Sequence, residues 1–353
     1  MAFLLPPKES KNQINKAGAI LANDIKQSDQ FVAALELANR WRACHAYPIN
    51  TFQATLRRNI NEYKDPIVAQ RLKRMPTIID KLRRYPTMKL TTMQDIGGLR
   101  AVLSNVTDAS KLAENYRTNK RLTHELIEEY NYIKNPRSED GYRSIHLIYK
   151  YKNKRNPAYD GLRLELQIRS KLQHTWATAV ETMGTFLGQA LKSRQGDQQW
   201  LDFFAIVSSA FAYKEQTPLV PRFNHLSCEE TLKAVADAES RLSALEKMRG
   251  FSAAVDVITR KSKGWSYHLI ILDSLKGIVQ IKPYNRGNFS QAIDDYSKVE
   301  SEAANGVKIE PVLVSAGPIN TLRHAYPNFF LDISDFVNIV KELIQKASKI
   351  KTN

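Results

Sequence analysis

The chain has 353 residues, a length that predicts two domains, or three if one is small. With 43% hydrophobic and 25% charged residues, its composition excludes a disordered, fibrous or disulfide-stapled protein. The 52 Lys and Arg outnumber the 36 Asp and Glu, and this net charge of +16 predicts a polyanionic partner, either nucleic acid or nucleotide phosphates.

The cysteines and the longest apolar runs exclude two further classes of protein. Cys44 and Cys228 lie far apart and outside any Cys/His cluster, so we expect no structural zinc and a reducing compartment. No run approaches eighteen apolar residues, and the apolar start of the chain is too short for a signal peptide. We therefore expect a cytoplasmic protein with neither a membrane nor DNA as its partner.

In chain order, helices come first and a sheet follows. From Ile14 to Lys81 apolar residues recur at spacings of three and four, with breaks near Pro48 and Pro66, which predicts amphipathic helices. The period then changes to that of strands. Strands are predicted over 98–104, 144–151 and 162–169, and helices over 111–118, 124–132, 171–190, 199–213 and 228–248.

A domain boundary is predicted near Gly250, between a first domain of residues 1–250 and a tail of residues 251–353. The fold class is α+β, with a mixed β-sheet surrounded by helices and a small C-terminal α+β domain. In the tail, strands are predicted over 253–260, 266–274, 277–283 and 308–315, helices over 289–303 and 333–346, and a helical turn ending at 325.

Basic residues are concentrated before the first predicted strand. Between Arg57 and Arg100 there are eleven Lys and Arg against four Asp and Glu. On a continuous helix Lys73, Thr77 and Lys81 share one face, and such a stripe fits either a triphosphate or a solvated helix surface.

Two carboxylates stand in this basic context. Asp95 begins the segment Asp95-Ile-Gly-Gly-Leu-Arg100, and Glu165 lies on the polar face of the third strand. Magnesium on a nucleotide takes one or two protein carboxylates together with phosphate oxygens, so the two form a candidate metal pair. The alternative makes Asp95 a turn residue and Glu165 an ion-pair partner. Neither a Walker A motif nor a G-x-G-x-x-G motif is present.

Taken together, four motifs resemble the synthetase domain of the RelA/SpoT family over residues 45–190. In order they are Arg71-x-Lys73-x-x-x-Thr77-x-x-x-Lys81, Asp95-Ile-Gly-Gly-Leu-Arg100, Pro136-Arg137…Gly141-Tyr142-x-Ser144-x-His146 and Glu165-x-Gln167-Ile168-Arg169-Ser170. The family pattern has Ser at Thr77, Lys at Arg137 and Asn at Asp140, and one residue is inserted before Gly141.

This resemblance implies a nucleotidyltransferase-like fold and an enzyme that transfers the β,γ-pyrophosphate of ATP to a ribose 3′-hydroxyl with the help of Mg²⁺. It implies that Arg71 and Arg100 sandwich adenine and that Asp95 and Glu165 hold the metal, Glu165 also accepting the hydroxyl proton. The triphosphate would be bound by Lys73, Thr77 and Lys81, and the acceptor by Arg137, Tyr142, His146, Gln167 and Arg169.

The acceptor is either tRNA or a nucleotide. Because a tRNA stem presents many phosphates, the net charge favours the 3′-CCA end of tRNA, whose modification stops translation. The alternatives are a (p)ppGpp or ppApp synthetase that uses GDP, GTP or ATP, and a non-catalytic RNA-binding regulator. Candidate tRNA contacts are Arg83, Arg84, Lys89, Lys150, Lys152, Lys154 and Arg155.

The tail contains the segment Ala325-Tyr-Pro-Asn-Phe329. It resembles the antitoxin-like domain of the fused toxin–antitoxin CapRel proteins, with Phe329 replacing the second tyrosine of a Tyr-x-x-Tyr motif. The resemblance implies that Tyr326 and Phe329 block the adenine site until a phage protein binds the tail. Alternatively, both are core aromatic residues.

Overall fold

A computed structural model describes residues 3–23, 28–119, 122–186, 198–245, 248, 266–273, 278–305, 307, 309–315 and 334–349. It divides the chain into two compact units. The first comprises Met1–Ala101, Ser110–Tyr130 and His146–Ile168, and the second comprises Val102–Ala109, Asn131–Ile145 and Arg169–Asn353.

The N-terminal part of the first unit is helical, as the apolar periodicity predicts. The hydroxyl of Ser28 accepts a hydrogen bond from the Phe31 N–H and caps the second helix. Pro48 lies in the first turn of the third helix, where its missing N–H costs no hydrogen bond. The helices are α1 (Lys11–Asn23), α2 (Asp29–Ala43), α3 (Ala46–Ile60) and α4 (Met75–Arg84).

A five-stranded mixed sheet begins with β1 between α3 and α4, and its strand order is β1-β2-β5-β4-β3. On β5 the apolar side chains of Leu164, Leu166 and Ile168 are fully buried, while Glu165 and Gln167 lie on the opposite face. The strands are β1 (Ile67–Leu72), β2 (Gly97–Leu103), β3 (Glu125–Asn131), β4 (Ile145–Lys150) and β5 (Arg163–Ser170), and α5 (Val106–Thr118) follows β2.

Two of the predicted helices in this region are wrong. Residues 124–132 form the edge strand β3, most of which is exposed or half-buried, so its sequence lacks a clean alternation of apolar and polar residues. Val68 and Leu72 have helical spacing, yet they lie on β1, where pairing with β2 overrides local preference.

The second unit is built on a helical core. The helix α7 (Gln198–Glu215) buries residues on every side, among them Phe203, Phe204 and Phe211. A reciprocal capping box between Ser227 and Glu230 begins α8. The other core helices are α6 (Lys171–Phe186), α8 (Cys228–Leu242) and α10 (Ser334–Lys349), each close to a predicted helix. Among the described helices, none has the length and apolar character needed to cross a lipid bilayer.

A small antiparallel sheet of order β7-β6-β8 lies between α8 and α10 in the sequence. Tyr267 at the start of β6 pairs with Tyr284 on one side and with Ser315 on the other. Leu269, Tyr284 and the α9 residue Tyr296 are buried together. These elements are β6 (Tyr267–Asp273), β7 (Ile278–Tyr284), α9 (Phe289–Ala304) and β8 (Ile309–Ser315), which confirms the strands predicted near them and the helix over 289–303.

Three expectations for the tail fall outside the described residues: the strand over 253–260, the turn ending at 325, and any contact of Tyr326 or Phe329. The boundary near Gly250 stays a prediction.

The last helix returns to the core of the second unit, because α10 packs against α8 and α6. Its Phe336 is fully buried, and the ring centroids of Phe203, Phe204 and Phe211 lie 6.5, 5.9 and 6.0 Å from its own. A fragment of residues 1–250 would therefore lack part of the hydrophobic core.

We expect Phe336→Ala to lower the free energy of unfolding by about 3–5 kcal/mol, because it removes a buried ring and leaves a cavity among three others. Urea denaturation measures this loss. Lys346→Ala, an exposed position on the same helix, is the matched control and should change stability little. Equal effects of the two substitutions would contradict the packing described for α10.

Candidate active site

Asp95 joins two lysines at the start of the sheet. Its Oδ2 lies 2.9 Å from the Lys73 Nζ, and its Oδ1 lies 3.0 Å from the Lys81 Nζ. Lys73 is in the turn between β1 and α4, where its N–H donates to the Ile96 carbonyl at 2.8 Å. The predicted helical stripe is thus wrong for Lys73, since α4 begins at Met75, but the turn still brings Lys73 beside Lys81.

Burial and charge act in opposite directions on this cluster. Burial raises the pKa of Asp95, but Lys73 and Lys81 outweigh it and hold the pKa well below its usual range. Burial lowers the pKa of Lys73, and the attraction of Asp95 only partly offsets that effect. The carboxylate is therefore ionised at neutral pH and keeps two cations close together.

A second carboxylate lies on β5 with its own partners. The Glu165 Oε1 is 2.9 Å from the His146 Nδ1, and the Glu165 Oε2 accepts a hydrogen bond of 2.8 Å from the Gln167 Nε2. Burial raises the pKa of Glu165, while His146 lowers it enough to leave it below its usual value. Asp95 also raises the pKa of Glu165 through its charge, which puts the two carboxylates in one electrostatic neighbourhood.

The remaining candidates for nucleotide binding lie on nearby elements of the same unit. Arg71 is on β1 and Arg100 is on the adjacent strand β2, where it is largely buried. Thr77 is half-buried in the first turn of α4. The structure thus brings Lys73, Lys81 and Asp95 into direct contact and puts the two arginines on neighbouring strands.

Gly97 allows close packing at the first residue of β2. A Cβ atom there would lie 2.6 Å from the Leu164 Cδ2 and 3.1 Å from the Ile49 Cγ1, so any other residue would force these side chains to shift. Both glycines of the Gly-Gly pair belong to β2, which begins two residues after Asp95.

The candidate acceptor residues of the second unit form a separate group. Arg137 and Tyr142 lie on the loop between β3 and β4, and the Arg169 Nη2 is 3.4 Å from the Tyr142 hydroxyl. Gly141 has a φ of 79°, and its carbonyl accepts a hydrogen bond of 2.6 Å from the hydroxyl of Ser208 on α7. Sequence reasoning missed Ser208, which no motif marks.

Asp140 has a role that the motif comparison did not predict. Its side chain is buried and makes an ion pair of 2.5 Å with the Arg137 Nη2. The opposite charges three residues apart, just before a glycine, were the available signal in the sequence.

The two carboxylates fit a magnesium ion that arrives with a nucleotide. Within the described residues no group of three or more His, Cys, Asp and Glu side chains is arranged to hold a metal by itself. Asp95 and Glu165 supply two hard oxygen ligands beside two lysines, and phosphate oxygens would complete the coordination.

Several candidate tRNA contacts are engaged within the protein. Arg83 donates to the Ala22 carbonyl at 3.1 Å, Arg84 pairs with Asp80, and Lys152 pairs with Glu125. The side chains of Lys89, Lys150, Lys154 and Arg155 are exposed.

Residues 70–184 match the model of a region found in RelA / SpoT proteins. This segment belongs to the RelA/SpoT region. It lies inside the span of 45–190 expected from the four motifs, and the family prediction is confirmed. The RelA/SpoT region contains every candidate residue for ATP and acceptor binding, from Arg71 to Arg169.

The chain is also similar to curated proteins. It is 34% identical over 133 residues to the GTP pyrophosphokinase YjbM of Bacillus subtilis, covering 36% of this chain and 62% of that one. It is 30% identical over 138 residues to an uncharacterized protein of Mycobacterium tuberculosis, covering 38% and 45%. The chain thus spans about half to three fifths of the length of these relatives.

Two solved structures are similar at lower identity. Small alarmone synthetase 1 from Bacillus subtilis bound to pppGpp gives a TM-score of 0.42 at 24% identity, covering 51% of this chain and 95% of that one. A GTP pyrophosphokinase family protein from Streptococcus pneumoniae gives 0.39 at 22% identity, covering 53% and 91%.

We expect Asp95→Asn to lower the free energy of unfolding by about 1–3 kcal/mol at neutral pH, because it leaves Lys73 buried without its carboxylate. Since folding lowers the pKa of Asp95, its contribution is complete above the usual value of 3.8 and is lost as the pH falls below it. The difference from the parent should therefore shrink in acid.

Chemical denaturation between pH 3 and pH 7 measures this difference, at about one-unit intervals. Asp80→Asn is the matched control, because Asp80 is more exposed and pairs with Arg84 on the helix surface. A loss as small as that of the control would show that the Asp95 cluster does not stabilise the fold.

Proposed function

We propose that this chain is an ATP-dependent pyrophosphokinase that transfers the β,γ-pyrophosphate of ATP to a ribose 3′-hydroxyl. One observation carries the proposal: within a RelA/SpoT region, two lysines converge on one carboxylate while a second carboxylate nearby is held by a histidine. The similarity to a protein named GTP pyrophosphokinase supports the same reaction.

The chemistry needs positioning and neutralisation of charge more than covalent catalysis. Lys73, Lys81 and Thr77 bind the triphosphate, and Asp95 with Glu165 would hold Mg²⁺, which would supply neutralisation of charge on the phosphate oxygens. Arg71 and Arg100 enclose the adenine through cation–π contacts.

Glu165 is the base in this proposal. The acceptor 3′-oxygen forms a bond to the β-phosphorus of ATP, the bond from that phosphorus to the α,β-bridging oxygen breaks, and AMP leaves with the bonding electrons. The hydroxyl proton passes to Glu165, whose lowered pKa keeps it ionised at neutral pH. The hydrogen bonds from His146 and Gln167 hold the carboxylate in one orientation.

For the acceptor we propose the 3′-CCA end of tRNA, with inhibition of translation as the result. The net charge of +16 and the exposed Lys89, Lys154 and Arg155 support a large polyanion. The second candidate is synthesis of an alarmone from GDP, GTP or ATP, which similarity to the GTP pyrophosphokinase of Bacillus subtilis favours. A non-catalytic RNA-binding role would not require the carboxylates of Asp95 and Glu165 among these basic residues.

For the tail we propose autoinhibition. Tyr326 and Phe329 would occupy the adenine site, and a phage protein that binds the tail would release them, in the manner of a fused toxin and antitoxin. Such release requires that the partner bind the open form more tightly than the closed form.

Glu165→Gln should reduce transfer by about 10²–10⁴-fold, the range for loss of a general base. The assay follows label from γ-labelled ATP with Mg²⁺ into deacylated tRNA, GDP, GTP or ATP, in the full chain and in full-chain Tyr326→Ala. Glu125→Gln, on the exposed edge strand, is the matched control.

Label on tRNA would support the toxin function, and label only on a nucleotide would support the alarmone function. Transfer that survives Glu165→Gln would contradict the role of Glu165. No transfer to any acceptor in either background would overturn the proposed function.

If the tail is autoinhibitory, full-chain Tyr326→Ala should arrest bacterial growth under conditions in which the parent does not. The full chain is used because residues 1–250 lack the buried helix α10. Tyr326→Ala combined with Glu165→Gln is the control, and it should be harmless. Growth equal to that of the parent would rule out inhibition by Tyr326.

A further inference from the structure

The RelA/SpoT resemblance implies that Tyr142 binds the acceptor, and its aromatic ring could do so by stacking on the acceptor base. In the structure this ring is already covered. Tyr142 is only 4% exposed, and the Arg137 guanidinium carbon lies over its ring at 4.4 Å from the centroid. That distance is typical of a cation–π contact. A base therefore cannot stack on this ring unless a neighbouring group moves.

Asp140 holds Arg137 in that position. Its Oδ1 accepts from the Arg137 Nε at 3.1 Å and its Oδ2 accepts from the Arg137 Nη2 at 2.5 Å, which fixes the plane of the guanidinium. The same Oδ1 accepts from the Tyr142 N–H at 2.9 Å. One buried carboxylate thus determines where both the ring and the cation above it lie.

Other contacts hold the ring itself in place, among them the fully buried Arg169, whose guanidinium carbon lies 5.8 Å from the ring centroid. Tyr132 and Trp176 meet Tyr142 edge to face, and the Trp176 Nε1 donates to the Phe204 carbonyl at 2.8 Å. Gly141 is tied to Ser208 on α7.

Arg137 is the group that can move at least cost. Its side chain is 19% exposed, whereas that of Asp140 is 1% exposed. Tyr142, on the same loop, belongs to the buried core of the second unit.

We propose that the Arg137–Asp140 ion pair gates the acceptor site: Arg137 occupies the face of Tyr142 that receives the acceptor base, and the base must displace it. This inference rests on the proposed function and on the role in acceptor binding that the RelA/SpoT resemblance implies for Tyr142. Arg137 and the base compete for one surface, so the apparent affinity for the acceptor is reduced by the fraction of molecules in which Arg137 covers the ring. Asp140 acts through Arg137 and is a positioning residue that sets this fraction.

The test is Asp140→Asn in the full chain. The asparagine carbonyl can still accept a hydrogen bond from the Tyr142 N–H. Because the negative charge of Asp140 is lost, the interaction of this side chain with the Arg137 guanidinium weakens. We expect the dissociation constants for GDP and for a CCA trinucleotide, measured by calorimetry, to fall by about tenfold for whichever probe the site accepts. The dissociation constant for ATP should not change.

Glu139→Gln is the matched control, since it removes one negative charge from the exposed neighbouring position. A second variant, Arg137→Lys, keeps the charge but loses the planar stack and the two-point contact. It should also tighten binding of the acceptor probe, by less than Asp140→Asn does. Thermal unfolding checks that each variant folds.

The gate would be overturned if Asp140→Asn bound the acceptor probe no more tightly than Glu139→Gln does. It would also be overturned if Asp140→Asn tightened the binding of ATP by the same factor as that of the acceptor probe. The gate would also be overturned if neither the parent nor any variant bound GDP or the CCA trinucleotide. These outcomes are distinct from failure of the proposed function, which is an absence of label transfer from ATP. Label transfer from ATP together with equal affinities of the parent and Asp140→Asn for the acceptor probe would support the proposed enzyme activity and contradict the gate.

Discussion

The contact of one carboxylate, Asp95, with two ammonium groups is the interaction on which the first unit depends. Lys73 and Lys81 reach it from the turn after β1 and from α4, so a single side chain joins three consecutive segments. Without Asp95 the two cations would repel each other in a partly buried site. With it the two cations stay close together, which would prepare them for the triphosphate of the proposed reaction.

That contact also explains why the site can exchange partners. In the proposed reaction the lysines would contact phosphate oxygens in place of Asp95, and Asp95 would be free to hold a divalent cation, so each charge would keep an opposite charge beside it. Glu165 does not take part in this exchange with the lysines, because it is held by His146 and Gln167. The two carboxylates thus have different environments and can carry different tasks.

The second unit supplies rigidity by a different means, an aromatic and aliphatic core. One buried cluster contains Tyr142, Trp176, Phe204 and Phe336, so the loop between β3 and β4 and the last helix share a core. The chain leaves this core after α8, forms the small sheet, and returns as α10. The ion pair between Arg137 and Asp140 lies beside this core, and in the proposed gate Arg137 is the member of the pair that moves.

The sequence by itself indicated the RelA/SpoT region within residues 45–190, most of the elements and the set of charged residues, because motif spacing and apolar periodicity are local properties. It did not determine that β1 and β3 are strands, since their short runs suit either structure and pairing decided between them. Only the tertiary structure showed that Asp95 bridges two lysines, that Gly97 is needed for contact with Leu164, and that Asp140 is buried beneath Arg137. Each of these depends on atoms from separate elements or on the exact path of a loop, which residue spacing along the chain does not specify.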